Sequence, residues 1–236
     1  MRYMGGKSRI AKKIAPHLLT SERPHYCEPF VGGGAILCEV ARSFQTVTAF
    51  DNHRDLINLY RAVQVGWVPP ETITEQQYNN LRNEPSSPLR TFAGFGASYG
   101  GKWWAGFARA RKETRDYAAE WRRSLLKAQA VGMFDPHVHF AARSFFDLIP
   151  EGDLSRCVIY CDPPYSGTTG YTTGQFDHPL FWKTLQGWAE RGAEVFVSEY
   201  TAPSTAELVA SFTPTTSLKG TGNVARSRDN LYRVGK

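Results

Sequence analysis

Between His25 and Asp51 the chain runs from a short apolar segment, His25-Tyr-Cys-Glu-Pro-Phe30, through Val31-Gly32-Gly33-Gly34 into an apolar helical pattern. That pattern carries Ala35, Ile36, Leu37, Cys38, Val40 and Ala41, and Val47-Thr-Ala-Phe-Asp51 follows as a buried strand ending on an acid. Strand, glycine turn, helix, strand is half of a doubly wound α/β sheet. Glycines let the backbone turn sharply and come close to a ligand. Asp51 closes the second strand at the ~20-residue spacing from which a carboxylate reaches both hydroxyls of an adenosine ribose. Alone, the pattern fits a nicotinamide or flavin dinucleotide, S-adenosylmethionine, or a tight turn with no ligand.

The alternation continues with a helix through Leu56, Ile57, Leu59, Tyr60 and Val63, then stops. Pro69-Pro70, Pro85 and Pro88 interrupt the next stretch, and a basic, aromatic segment follows. Tyr117, Trp121, Leu125 and Ala128 share one helical face, which predicts an amphipathic helix over 114–131 with Thr114 near its start. The α/β rhythm resumes at Cys157-Val-Ile-Tyr-Cys-Asp162, with a helix through Leu180, Phe181, Leu185, Trp188 and Ala189 and a strand at 193–198. Asn230–Val234 reads as an edge strand. The expectation is an α/β, Rossmann-like sheet built from residues 1–65 and 133–236, with 66–132 as a helical insert outside it.

Hydrophobic residues make up 42% of the 236, enough to fill a core and to exclude wholesale disorder. No apolar run reaches the ~18 residues of a membrane span, and the basic start leads into no apolar signal core, so a cytoplasmic, reducing setting is expected. Cys157 and Cys161 lie inside a stretch that reads as a buried strand, and no second Cys/His pair at ligand spacing joins them or Cys27 and Cys38. Core thiols and no metal are therefore expected.

The net charge of +6 is unevenly spread. Residues 102–127 hold eight basic residues (Lys102, Arg109, Arg111, Lys112, Arg115, Arg122, Arg123, Lys127) against three acids, and residues 1–13 hold five basic residues and no acid. With Trp103, Trp104 and Phe107 among them, these charges form a nucleic-acid footprint or, equally, a solvated helix face with core aromatics.

Asp162-Pro163-Pro164-Tyr165 ends the strand 157–161, the end at which doubly wound sheets bind ligands. An exocyclic amino group on a base is a poor nucleophile because its lone pair is conjugated with the ring. Two acceptors aimed at its hydrogens draw it toward a tetrahedral geometry, and the Asp162 carboxylate and Pro163 carbonyl suit that role. The prolines fix φ and pre-organise the loop. Tyr165 offers a ring for a base to stack on. Gly6-Lys7-Ser8 lacks the earlier glycine and preceding strand of a P-loop, which excludes that form of ATP binding.

Together these residues resemble the Dam-like class of DNA adenine-N6 methyltransferases of bacteria and phages. The resemblance rests on Arg-Tyr-Met-Gly-Gly-Lys at 2–7, Glu-Pro-Phe-Val-Gly-Gly-Gly-Ala at 28–35, Asp-Asn-His-Arg-Asp-Leu-Ile-Asn-Leu-Tyr at 51–60, Asp-Pro-Pro-Tyr at 162–165, and the fitting 170–177. It implies methyl transfer from S-adenosylmethionine, leaving S-adenosylhomocysteine, to the N6 amino group of a flipped adenine in double-stranded DNA. It implies cofactor contacts at Tyr3, Lys7, Phe30, Gly32, Gly34, Asp51, Asn52, Phe145 and Asp162. It implies Asp162, Pro163, Pro164 and Tyr165 at the transfer centre, and no metal or membrane. DNA contacts are expected at Lys102, Trp103, Trp104, Arg109, Arg111, Lys112, Arg115 and Tyr171. Phosphates fall mainly to the arginines and Lys112, and groove or gap filling to the Gly100–Trp104 tip. The insert departs from the class: Phe95-Gly-Ala-Ser-Tyr-Gly-Gly-Lys-Trp-Trp104 stands where an Asn-rich aromatic motif is usual. A monomer or weak dimer and a cognate restriction enzyme are compatible with the class. The rival readings are RNA adenine, the cytosine amino group, or an inactive DNA-binding relative.

Overall fold

Strands with apolar residues on both faces need cover on both sides, and that requirement builds the centre of the molecule. The computed structural model describes residues 1–109, 115–148, 152–165, 176–212 and 228–235. Among these, seven strands form one sheet: β1 (His25–Glu28), β2 (Thr46–Asp51), β3 (Val138–Ala142), β4 (Cys157–Cys161), β5 (Glu194–Glu199), β6 (Ala206–Phe212) and β7 (Asp229–Val234). Their spatial order is β3-β2-β1-β4-β5-β7-β6. β3, β2, β1, β4 and β5 run parallel, and β7 pairs antiparallel with both β5 and β6. The chain leaves β1 in one direction and β4 in the other, so the strand order reverses between these two neighbours. Their carboxyl ends therefore flank the ligand crevice of such a sheet. The expected α/β class holds.

The helices are α1 (Ala11–Leu18), α2 (Leu37–Val40), α3 (Arg54–Gln64), α4 (Glu75–Leu81), α5 (Pro88–Gly96), α6 (Tyr117–Ala130) and α7 (His178–Glu190). Alternate strand residues face opposite layers. Tyr26, Val47, Ala49, Val158 and Tyr160 join one apolar cluster with α1, α3, α5 and α6, while Ile159, Cys161, Val195 and Val197 join another with α7. No described helix is long and apolar enough to cross a membrane.

Three expectations change. The segment 230–234 is not an edge: β7 lies between β5 and β6, and β6 takes the edge. Leu231 is fully buried there, whereas β6 is exposed or half-buried at every position but its last and carries little alternation to read. The helix after the glycine turn is one turn only, Leu37–Val40, continued by a 3-10 turn over Ala41–Ser43, because the chain must return to start β2 at Thr46. α6 starts at Tyr117, capped by the Asp116 carboxylate, which accepts from the Ala119 N–H at 2.9 Å. Thr114 lies outside the described residues.

No strand falls in the described part of 66–132. The insert is nonetheless no separate body, since Phe92, Phe95, Trp104, Trp121 and Leu125 belong to the same apolar cluster as the sheet. α5 begins with the Ser87 cap followed by Pro88 and packs on α3 and α6.

Candidate active site

The glycine turn after β1 is pinned through Gly32. Its N–H donates to Asp51 Oδ2 at 2.9 Å, and its carbonyl accepts from the buried Tyr60 hydroxyl at 2.5 Å. Gly32 has φ +43°, in the left-handed region that favours glycine. The other carboxylate oxygen of Asp51 accepts from the His53 N–H at 2.8 Å. Burial pushes the Asp51 pKa up, and those two N–H groups oppose the rise. The acid expected to take ribose hydroxyls is thus also the clamp of the turn. Each oxygen keeps a second lone pair for a ligand.

Beside Asp51 lies an open depression of about 470 Å³, lined by Asn52, Arg54, Ala142, Arg143, Ser144 and Asp147. Phe145, expected here, is instead buried. Its ring stacks on Phe30 (centroids 5.3 Å apart) and meets Phe181 and Trp188. The lining comes from its neighbours Ser144 and Asp147. Phe30 is half-buried and joins that aromatic packing, linking the turn to the 3-10 turn over Phe145–Asp147.

Across the β1/β4 reversal, Asp162 follows β4 directly, with Pro163 buried and Pro164 and Tyr165 half-buried. The Lys7 ammonium lies 2.9 Å from Asp162 Oδ1 and 3.7 Å from Asp229 Oδ1. It also sits over the Tyr165 ring, 4.3 Å from its centroid. The Tyr165 hydroxyl donates to Asp229 Oδ1 at 3.1 Å, and its ring meets Tyr200 edge-on. Burial raises the pKa of Asp162, and Lys7 counters it. Lys7, expected beside the cofactor, therefore stands on Asp162, the acid expected at the transfer centre. Asp229 and Tyr200 escape sequence reasoning. Both become visible only once β5 and β7 pair, and no local pattern marks them.

Tyr3 lies against the glycine turn: a Cβ on Gly32 would sit 3.1 Å from the Tyr3 ring, and one on Gly33 2.8 Å from Tyr3 Cβ. Gly34, with φ +64°, packs under Met133. The same segment reaches the insert. The Arg2 guanidinium donates to the carbonyls of Gly96 and Ser98 and covers the Tyr117 ring, and Trp121 Nε1 donates to the Arg2 carbonyl.

The expected DNA contacts divide. Lys102 is exposed, as a groove contact needs. Trp104 is 8% exposed and packs on Tyr78 and Trp103, while Trp103 packs on His53 and Phe95. Trp104 is therefore occupied in the core and half-buried Trp103 packs against it, so neither ring stands at a free tip. Arg109 pairs with Glu75 and Arg115 with Glu120, acids that sequence spacing did not connect to them. Arg111, Lys112 and Tyr171 lie outside the described residues. The four cysteines are free thiols, and burial raises Cys38 and Cys157 to about 11.

The mostly parallel sheet, with a glycine turn after β1, Asp51 at the end of β2 and Asp162-Pro-Pro-Tyr165 after β4 at the reversal, is a Rossmann-like sheet of the kind methyltransferases use. Residues 3–88 match the family of D12 class N6 adenine-specific DNA methyltransferases, which bears out the resemblance to the Dam-like class over that part of the chain. The Type II methyltransferase M1.LlaDCHI of Lactococcus lactis subsp. cremoris is 32% identical over 81 residues, covering 34% of this chain and 26% of that protein. The match thus spans about a quarter of that relative's length. Among solved structures, the rRNA methyltransferase aviRa of Streptomyces viridochromogenes matches with TM-score 0.45 and 14% identity, over 97% of this chain and 84% of that one. The tRNA (m1A58) methyltransferase TrmI of Aquifex aeolicus matches with TM-score 0.41 and 15% identity, over 96% and 68%.

Proposed function

We propose that the chain transfers a methyl group from S-adenosylmethionine to the N6 amino group of adenine in duplex DNA, with the adenine turned out of the helix. The observation that carries this reading is Asp162-Pro163-Pro164-Tyr165 at the carboxyl end of β4, across the reversal from the Gly32–Asp51 clamp. The clamp and the polar depression fit the methyl donor: Asp51 has lone pairs for ribose hydroxyls, and Asn52 and Ser144 offer polar groups nearby. When bound, S-adenosylmethionine supplies a methyl group already activated on a sulfonium.

The chain's own residues prepare the acceptor. The Asp162 carboxylate and the Pro163 carbonyl accept the two amino N–H groups, which localises the nitrogen lone pair. Rigid prolines hold those acceptors before the base arrives. Tyr165, clamped by Asp229 and Tyr200, presents a ring to the extruded base. Lys7 opposes the burial-driven rise in the Asp162 pKa and so favours its ionised form.

Tritium transfer from labelled cofactor to duplex DNA, single-stranded DNA and RNA tests the substrate class, and duplex DNA should be labelled fastest. Asp162→Ala should slow the transfer step at least ~100-fold, as loss of one pre-organised partner does elsewhere, with cofactor affinity little changed. A single-turnover rate near wild type would remove Asp162 from the mechanism.

A further inference from the structure

Two carboxylates, Asp162 and Asp229, share one ammonium, that of Lys7. In this structure the ammonium occupies Asp162 Oδ1 at the bonding distance of a charge-assisted pair, and it stands under 1 Å short of the same contact with Asp229, at 3.7 Å. The proposed chemistry needs Asp162 as an acceptor for the substrate amino group. A carboxylate whose charge is already drawn to an ammonium on Oδ1 is a weaker acceptor for a neutral amino donor. We propose that Asp229 is a positioning residue: it receives the Lys7 ammonium when the adenine amino group takes Asp162, and it keeps Tyr165 in place throughout. The inference rests on the proposed methyl transfer.

The geometry suits such a handover. A lysine ammonium is a compact charge with three rotatable donors, so a small change in its terminal torsions moves it between neighbouring acceptors. The Tyr165 ring face lies against the ammonium, and the same side chain reaches Asp229 through its hydroxyl, so a cation moving that way stays beside the ring. Asp229 is fixed at the receiving end. It opens β7, pairs in register with Phe212 of β6, and is followed by Asn230, which pairs with Glu199 of β5. The Tyr165 hydroxyl already occupies part of Asp229 Oδ1, and a carboxylate oxygen accepts a second hydrogen bond readily. The handover leaves the total charge of the site unchanged: one carboxylate trades a protein cation for a neutral amino donor, and the other gains that cation.

Asp229→Asn separates this role from packing. The amide oxygen still accepts from Tyr165, but the charge that draws Lys7 away is gone. Single-turnover methyl transfer to unmethylated phage DNA, at saturating labelled cofactor, should fall ~10- to ~100-fold, the range that small misplacements of catalytic groups produce. Cofactor affinity and melting temperature should stay near wild type, and Asp229→Glu should recover most of the rate. Asp229→Asn within twofold of wild type, or Asp229→Glu as slow as Asp229→Asn, would overturn the inference while leaving the proposed function standing. Wild-type protein that labels no nucleic acid would overturn the proposed function. The handover is then decided by a crystal structure of Asp162→Asn: Lys7 Nζ at ~3 Å from Asp229 supports it, and Nζ remaining at residue 162 or turned to solvent refutes it.

Discussion

Asp162 is pulled in two directions, and the balance sets the pH at which the site can work. Burial favours the protonated acid, and Lys7 favours the carboxylate, whereas Asp229 opposes ionisation. Among the described residues, Lys7, Asp229 and Tyr165 face it, and Glu28, Tyr160 and Cys161 lie close enough to feel its charge. On the proposed mechanism Asp162 accepts from the amino group as the carboxylate, so the rate should fall as pH drops through this raised pKa. Lys7→Met removes the opposing cation, and the acid limb of the single-turnover profile should move to higher pH by ~1 unit or more. An acid limb that stays in place would show that Lys7 does not govern Asp162. Asp51 clamps the glycine turn and, on the proposed reading, also holds the cofactor ribose. Asp51→Ala should weaken cofactor binding by ~1.5–3 kcal/mol, the usual worth of a hydrogen bond to a charged group. It should also lower stability, because the Gly32 and His53 N–H groups lose their acceptor at ~1–3 kcal/mol for each donor left buried. Calorimetry reads the first loss and urea unfolding the second. The ribose role follows from strand-end spacing. The clamp does not, since it depends on how the turn folds back over β2.

At the scale of elements, the insert is held by aromatic packing against glycine. α5 carries Gly94 where a Cβ would lie 2.6 Å from the Trp103 ring and 2.9 Å from that of Trp104. Trp104 holds φ +47°, an uncommon conformation for a bulky residue, kept by its N–H bond to the Gly94 carbonyl and by burial of its ring. Trp104→Ala should therefore destabilise the protein by ~3–5 kcal/mol in urea unfolding, as large-to-small core changes do, and leave the methylated motif as it was. A shifted motif at unchanged stability would return Trp104 to the DNA surface. The charges of this region divide by their partners. Lys102 is exposed, whereas Arg109 and Arg115 already hold Glu75 and Glu120. On the proposed reading, Lys102→Ala should reduce the salt slope of DNA binding by about one unit, and Arg109→Ala by less. The amphipathic face of α6 was legible because Trp121, Leu125 and Ala128 keep helical spacing. The ion pairs were not, because Arg109 and Glu75 lie on different elements.

At the scale of the molecule, the segment before α1 ties the parts together. Arg2 bonds the carbonyls at the end of α5, Tyr3 covers the glycine turn, and Lys7 reaches Asp162. The insert and the proposed transfer centre at Asp162 thus share one short stretch of backbone. Arg2→Ala removes two hydrogen bonds from a charged donor and the cover over Tyr117, and should cost ~1.5–3 kcal/mol in urea unfolding. A variant as stable as wild type would show the tie to be incidental.

The parallel centre of the sheet could be read in advance because its causes are local. Val158–Cys161 and Val195–Val197 are buried runs, Gly32 permits the turn, and two prolines stiffen the loop after Asp162. Such preferences act within a few residues of their source and survive in any tertiary setting. The position of β7 between β5 and β6, the packing of Trp103 and Trp104, and the meeting of Lys7 with Asp229 have no local cause. Lys7 and Asp229 lie more than two hundred positions apart, and their contact exists only because seven strands assemble in one order. Burial makes such a contact consequential, since a charge removed from water must find its partner wherever the fold has placed one.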